Sequence, residues 1–251
     1  MVAIPPQHRW VDTEDGSRTL FSEAYQEACH STSGAIAETL LHYVEGCQIK
    51  NISRPHILEV GFGLGIGFLT TFDSLKSENK KWDFVSLEID GELLEWFRLE
   101  NIEHPFLKDL KWVSFGEMKA LQCDTTNISL TILCGDARMT LPFYMKIHPF
   151  KWNAIYQDAF SPKKNPSLWT TEWFTFLKSH STSDVILSTY SSNSQVRKSL
   201  LEAGWIIQKG KTFGAKRSCT RALLQGASDP DILVQLTNTS TPALRDDNIE
   251  G

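Results

Sequence analysis

The stretch ILEVGFGLGIG, residues 57–67, decides how this chain is read. The run over 56–60 is short and apolar, as a buried strand is. Glycines follow at Gly61, Gly63, Gly65 and Gly67, and then a pattern that predicts a helix through about Leu75. Glycine lets the backbone turn sharply out of a strand, and it lets a ligand lie against the main chain with no side chain in the way. Strand, glycine turn and helix in that order begin a βαβ unit.

Outward from that point the same alternation continues. Strands are predicted over 84–87, ending in Glu88, over 130–134, ending in Gly135-Asp136, over 154–157, ending in Asp158, and over 185–188. Helices are predicted over about 92–100, 171–179 and 194–203, the last stopped by Gly204. Closing strands at 205–209 and 219–224 would form an antiparallel hairpin. Upstream, residues 8–32 read as an extended or hairpin-like lead with a turn at Asp15-Gly16. A helix from Gly34 to Gly46 would set Ile36, Leu40, Leu41 and Val44 on one face. Residues 105–127 suggest a small helix with loops covering a sheet edge. The division expected is an N-terminal extension over 1–50, a catalytic domain over 51–225 and an irregular polar tail over 226–251.

Composition narrows the partners. The net charge of -5 means that any polyanion must be met by a local patch. Five cysteines at irregular spacing, with no Cys-x-x-Cys pair, read as reduced structural thiols. The first residues lack a signal-peptide layout, and no apolar run approaches the ~20 residues of a membrane span. A soluble, cytoplasmic protein is expected. Histidines and acids are too scattered to indicate a metal site.

The ligand at the glycine turn can be argued from charge. A dinucleotide would place a pyrophosphate at the helix N-terminus. An S-adenosylmethionine carries no phosphate, and a carboxylate before the turn suits its ammonium and sulfonium; Glu59 stands there. Glu88 lies 27 residues after Gly61, where its oxygens could bind a ribose diol. Asp136 could accept from the adenine amine, cap the next helix, or both. With Asp158, four acids end apolar runs on the same side of the sheet, which points to a cationic, hydroxyl-rich ligand. The expected architecture is therefore an α/β, Rossmann-like class I methyltransferase fold, mainly parallel with a C-terminal antiparallel hairpin.

A second stretch, YQDAFSPKKNPSLW over 156–169, carries the chemistry. Methyl transfer to an amine needs a nitrogen lone pair held in line, and Asp158 could accept an N–H bond and fix that direction. Phe160 could stack on a base, while Pro162 and Pro166 stiffen the loop. Lys163 and Lys164 would attract phosphates. A second basic patch at Lys209, Lys211, Lys216 and Arg217 surrounds Phe213, a grouping suited to an unpaired nucleotide and equally to a solvated loop. His30 reads as a pocket residue or as an N-cap neighbour.

With these residues in place, the chain resembles the methyltransferase domain of the bifunctional tRNA 5-methylaminomethyl-2-thiouridine biosynthesis protein (MnmC-like). The likeness rests on GFGLG over 61–65, Glu88, GDA over 135–137, KTFGAKR over 211–217 and above all DAFSPKKNPSLW over 158–169. DGSRTL over 15–20, Tyr25, the run Cys29-His30-Ser31 and Glu38 add to it. Leu64 stands where a small polar residue is usual, and Ala159 where glycine is common. The resemblance implies transfer of methyl from S-adenosylmethionine to the amine of 5-aminomethyl-(2-thio)uridine at the tRNA wobble position. It implies that Asp158 orients that amine and that Glu59, Gly61, Phe62, Gly63, Gly65, Glu88, Asp136 and Ala137 surround the donor. Tyr25, His30, Glu38, Phe160, Pro162, Lys163, Lys164, Asn165, Lys211, Phe213, Lys216 and Arg217 would meet the acceptor and the anticodon arm. No flavin-dependent half is visible in the sequence, so the amine would come from another enzyme. The competing reading is a class I transferase for a small free amine, of the spermidine-synthase-like kind.

Overall fold

The computed structural model describes residues 2–30, 33–212 and 219–249. The lead forms a small antiparallel sheet of β1 (His8–Asp12), β2 (Arg18–Ser22) and β3 (Glu27–Ala28). Its first turn is built by Asp15, whose carboxylate accepts from the hydroxyls of Thr13 and Ser17 at 2.7 and 2.6 Å. Those donors hold Asp15 down at a pKa of about 2. Helix α1 (Ala35–Thr39) then runs into one π turn, Leu40–Val44.

The rest of the described chain alternates as the sequence suggests: β4 (His56–Val60), α2 (Ile66–Leu75), β5 (Trp82–Glu88), α3 (Gly91–Glu100), β6 (Lys111–Phe115), β7 (Met118–Asp124), β8 (Ile128–Cys134), α4 (Ala137–Ile147), β9 (Trp152–Gln157), α5 (Thr171–Ser179), β10 (Ser181–Thr189), α6 (Ser194–Glu202), β11 (Ile206–Lys209), β12 (Thr220–Leu223) and α7 (Pro230–Thr237). Nine strands pair in the order β11-β12-β10-β9-β4-β5-β8-β7-β6. The central five, β10 to β8, are parallel, and an antiparallel hairpin closes each edge. This is the Rossmann-like class I methyltransferase layout expected, including the β11–β12 hairpin.

Helices cover both faces, so the central strands are apolar on both sides. Leu58 and Val60 of β4 enter one core cluster with Trp152, Phe174 and Leu187. Ile57, one residue away, enters the other with Phe68, Phe84 and Tyr156. Each fully buried Leu or Phe contributes about 1.5–3 kcal/mol. Side-chain caps start the helices: Asp90 accepts from the N–H groups of Glu92 and Leu93, both at 3.0 Å, and Thr170, Asn193 and Asp229 do the same for α5, α6 and α7. Each such cap stabilises its helix by about 1 kcal/mol.

Three expectations change. Residues 105–127 carry mainly the β6–β7 hairpin. Val113 and Phe115 pack inward while Trp112 and Ser114 face out, a period of two, and Gly116, at φ 64, makes a two-residue turn that a side chain would strain. The segment after Gly226 is no irregular wrap. It holds α7, with Ile232 and Leu236 buried, and Leu244, whose carbonyl accepts from Thr171 N at 2.8 Å. Finally, the helix after Gly34 keeps only part of the expected face inward: Val44 is buried, but Ile36 and Leu40 are exposed and a polar stripe is buried in their place. Ile36 is 53% exposed, whereas Thr39 and Tyr43 are 1% and 2% exposed, with Glu38 and His42 buried beside them. A polar stripe turned inward has a cavity to face.

Candidate active site

The chain leaves β4 for β5 on one side and reaches β9 on the other, so the crevice at the strand ends opens between β4 and β9. The two loops there nearly touch. Asp158 N donates to Val60 O at 3.0 Å, and Gly61 N and Phe62 N both donate to Leu87 O at 3.2 and 3.0 Å. A Cβ on Gly61 would lie 2.7 Å from the carbonyl oxygen of Asp158, at a φ of +99°. Only glycine lets the backbones pass so closely.

Glu88, at the end of β5, spans this turn. Its Oε2 accepts from Gly63 N at 2.8 Å and its Oε1 from Asp90 N at 3.0 Å. Burial pushes its pKa up, and the two N–H bonds pull it back. Asp136 caps α4 by accepting from Arg138 N at 2.8 Å, and it also faces the crevice.

The N-terminal sheet roofs the crevice. Gln7 and His8 bond Asp90 at 3.0 and 2.8 Å. Tyr25 stacks on Phe160 with ring centres 4.3 Å apart, and Ser161 donates through both N and Oγ to Glu27 Oε2, at 3.1 and 2.8 Å. Below this roof lies a cavity of about 290 Å³ walled by Gly61, Phe62, Gly63, Glu88, Asp136, Ala137 and Asp158. No lysine or arginine among the described residues lines it, so it suits a cation with hydroxyls better than a phosphate.

Two residues expected at the donor lie elsewhere. Glu59 points beneath α2, where Ser86 Oγ donates to it at 2.6 Å. A Cβ on Gly67 would meet its Oε1 at 1.7 Å, so the carboxyl occupies the space under the helix. Burial there pushes the Glu59 pKa well up. Gly65 is the N-cap of α2 at φ 71 and serves the turn without lining the cavity.

A second cavity, of about 210 Å³, adjoins the first. Its walls include Glu27, His30, Glu38, Thr39, Tyr43 and Tyr190, and it shares Cys29, His30, Asp158, Ala159 and Phe160 with its neighbour. Asp158 is therefore common to both. Tyr43 donates to Asp158 Oδ1 at 2.5 Å, and His30 Nε2 lies 3.9 Å from Oδ2. Burial raises the Asp158 pKa well above its ordinary value, the Tyr43 bond opposes that, and the Glu38 carboxylate adds to it. Burial also lowers His30 to about 4, keeping the ring neutral, and lifts Cys29 to about 12, keeping it a thiol instead of a competing nucleophile.

The other expected acceptor residues divide. Tyr25, His30, Phe160 and Asn165 line the first cavity, and His30, Glu38 and Phe160 the second. Pro162 is buried in the loop and lines neither; Lys163 and Lys164 are exposed beside the mouth. Lys211 is exposed and paired with Glu45 at 2.6 Å. Phe213, Lys216 and Arg217 lie outside the described residues. The sequence reading missed Tyr43, Tyr190, Thr39 and Glu27. The polar stripe Glu38, Thr39, His42, Tyr43 inside an otherwise apolar helix was the available signal.

Residues 99–225 match the model of a family described as S-adenosyl-L-methionine-dependent methyltransferase. This chain belongs to that family. The glycine turn, the Glu88 carboxylate and the lysine-free cavity fit the donor, which is S-adenosylmethionine. The methyltransferase is 30% identical over 235 residues to the tRNA 5-methylaminomethyl-2-thiouridine biosynthesis bifunctional protein MnmC of Azoarcus sp., covering 85% of this chain and 35% of that one. It is 29% identical over 222 residues to an uncharacterized protein of Methanocaldococcus jannaschii, covering 87% of this chain and 60% of the other. The methyltransferase thus spans about a third of the bifunctional relative and less than two thirds of the archaeal one. Among solved structures, MNMC2 from Aquifex aeolicus superposes with a TM-score of 0.76 at 28% identity, over 98% of this chain and 83% of that one. The chain is a methyltransferase domain homologous to MNMC2, as the resemblance implied. No helix among the described residues is long and apolar enough to cross a membrane.

Proposed function

We propose that this methyltransferase transfers methyl to the primary amine of 5-aminomethyl-(2-thio)uridine at the tRNA wobble position, giving the 5-methylaminomethyl form. The observation that carries this is the placement of Asp158 in the common wall of the two cavities, anchored by Tyr43. Bound S-adenosylmethionine supplies a methyl carbon on a positively charged sulfur, which keeps the C–S electron pair as the new N–C bond forms. The ionised Asp158 accepts an N–H bond from the amine, aims its lone pair at the donor cavity and receives the proton released afterwards. Phe160 and Tyr25 offer a stacked aromatic edge for an unpaired base, and Lys163 and Lys164 stand exposed beside it for the anticodon-arm backbone. The names of the bifunctional relatives support this reading.

The three carboxylates of the second cavity also favour a small free polyamine, the competing acceptor. Labelled methyl donor, tRNA bearing aminomethyluridine and free polyamines, tested side by side, separate the two. Label on the wobble base that disappears in Asp158→Asn supports the tRNA reading; label on polyamine alone ends it.

A further inference from the structure

The two ends of the roof rest on different partners. Its β3 end touches the loop after β9, through Tyr25 on Phe160 and Glu27 on Ser161. Its β1 end sits on Asp90, two residues past Glu88. Asp90 Oδ2 accepts from Gln7 Nε2 at 3.0 Å and from His8 Nε2 at 2.8 Å, while its Oδ1 caps α3. The backbone N–H of Asp90 goes to Glu88 Oε1 at 3.0 Å, and Glu88 Oε2 takes the Gly63 N–H at 2.8 Å. One line of hydrogen-bonded groups therefore runs from the roof, through the end of β5, to the glycine turn. The His8 side chain is 5% exposed and that of Asp90 18%, so water competes poorly for the contact. The strand itself is held without these side chains. Backbone pairing ties β1 to β2, Trp10 packs edge-on against Trp96, and Val2 bonds both Trp96 and Glu100 of α3. What the Gln7 and His8 bonds add is closure of the first cavity, which Gln7, His8 and Asp90 all line.

We propose that Gln7 and His8 are positioning residues for the methyl donor: by closing the roof on Asp90 they fix the segment that carries Glu88 and slow escape from the first cavity. Exchange of donor for product then requires both bonds to break, so the pair sets the residence time of whatever S-adenosyl ligand is bound. This inference goes beyond the tRNA-amine reading and holds whichever amine accepts the methyl.

The test needs no acceptor. Labelled S-adenosylhomocysteine is bound to the full chain and chased with unlabelled ligand to give koff, and rapid mixing gives kon. His8→Ala and Gln7→Ala should each raise koff ~3- to 10-fold, and the double variant at least ~10-fold, with kon unchanged or higher. His8→Gln keeps an N–H donor at the reach of Nε2 and should restore slow release. Gln7 Nε2 also donates to Glu92 Oε2, at 3.1 Å, so Gln7→Glu sets a third carboxylate against Asp90 and Glu92 and should release faster than Gln7→Ala. A fold defect alone would lower the number of binding sites per chain and leave koff of the intact sites at the wild-type value. An unchanged koff in the double variant, or release from His8→Gln as fast as from His8→Ala, overturns the inference and leaves the proposed function standing.

Discussion

The hydroxyl of Tyr43 lies 2.5 Å from Oδ1 of Asp158, a contact made across 115 residues of chain. Tyr43 comes from the π turn after α1 and Asp158 from the loop after β9, so the bond ties the helical stripe to that loop. A charge-assisted bond of this kind contributes about 1.5–3 kcal/mol. Tyr43→Phe should therefore lower kcat ~10- to 100-fold with S-adenosylhomocysteine affinity unchanged, because the carboxylate loses its aim. A proportional loss of donor binding would show instead that the bond only supports the fold.

Activity should depend on pH through Asp158. Its folded-state pKa lies above the ordinary 3.8, chiefly through burial. The ionised form is the one that accepts the N–H, so kcat/KM rises with pH along a limb displaced above the usual aspartate range. Since the Tyr43 bond favours the ionised form, Tyr43→Phe should move that limb to still higher pH. A limb that stays fixed in Tyr43→Phe would assign it to another group.

The two strand-end glutamates should separate in binding. Glu88 lines the first cavity and receives Gly63 N–H, whereas Glu59 is turned under α2 toward Ser86. Calorimetry with S-adenosylhomocysteine should show Glu88→Gln weakened ~10-fold or more and Glu59→Gln within about 3-fold. Equal losses would place Glu59 at the donor after all.

His30 sets an acid-stability prediction. Its pKa falls from 6.5 to about 4 in the folded chain, so between those values the unfolded state binds the extra proton. Its contribution to stability is complete above pH 6.5 and is lost as pH falls toward 4, amounting to about 3 kcal/mol at most. Urea denaturation of wild type and His30→Gln should show the wild type losing ground relative to the variant across that range. The raised carboxyls of Asp158 and Glu59 act in the opposite sense, which makes the difference between the two proteins the quantity to read. A constant difference would mean that His30 is protonated in the folded state.

Much of this was legible locally. The run Ile57 to Gly67 announces strand, turn and helix because period and glycine chemistry act within a few residues. Glu88, Asp136 and Asp158 were found because strand ends are where a parallel sheet opens its crevice. Glu59 was misplaced because one step along a strand reverses the face, and charge alone does not say which. Tyr43 and Glu27 escaped notice because their partners, Asp158 and Ser161, are 115 and 134 residues away. Helix α1 was read with Ile36, Leu40, Leu41 and Val44 inward; only Val44 is fully buried, because the enclosed second cavity gives Glu38, Thr39 and Tyr43 a polar space to line.

Because one carboxylate borders both chambers, their occupancies are thermodynamically linked, and the linkage is reciprocal. Under the proposed function, a sulfonium on one side of Asp158 would diminish its pull on an ammonium on the other, so two cationic ligands would bind with negative coupling. Release of a proton from the amine would remove the conflict, and the proposed ternary state would thereby select the free base, the only form with a lone pair to give. Acceptor affinity should accordingly be lower beside a charged donor analogue than beside neutral S-adenosylhomocysteine, and the difference should vanish at high pH, where the amine is already uncharged.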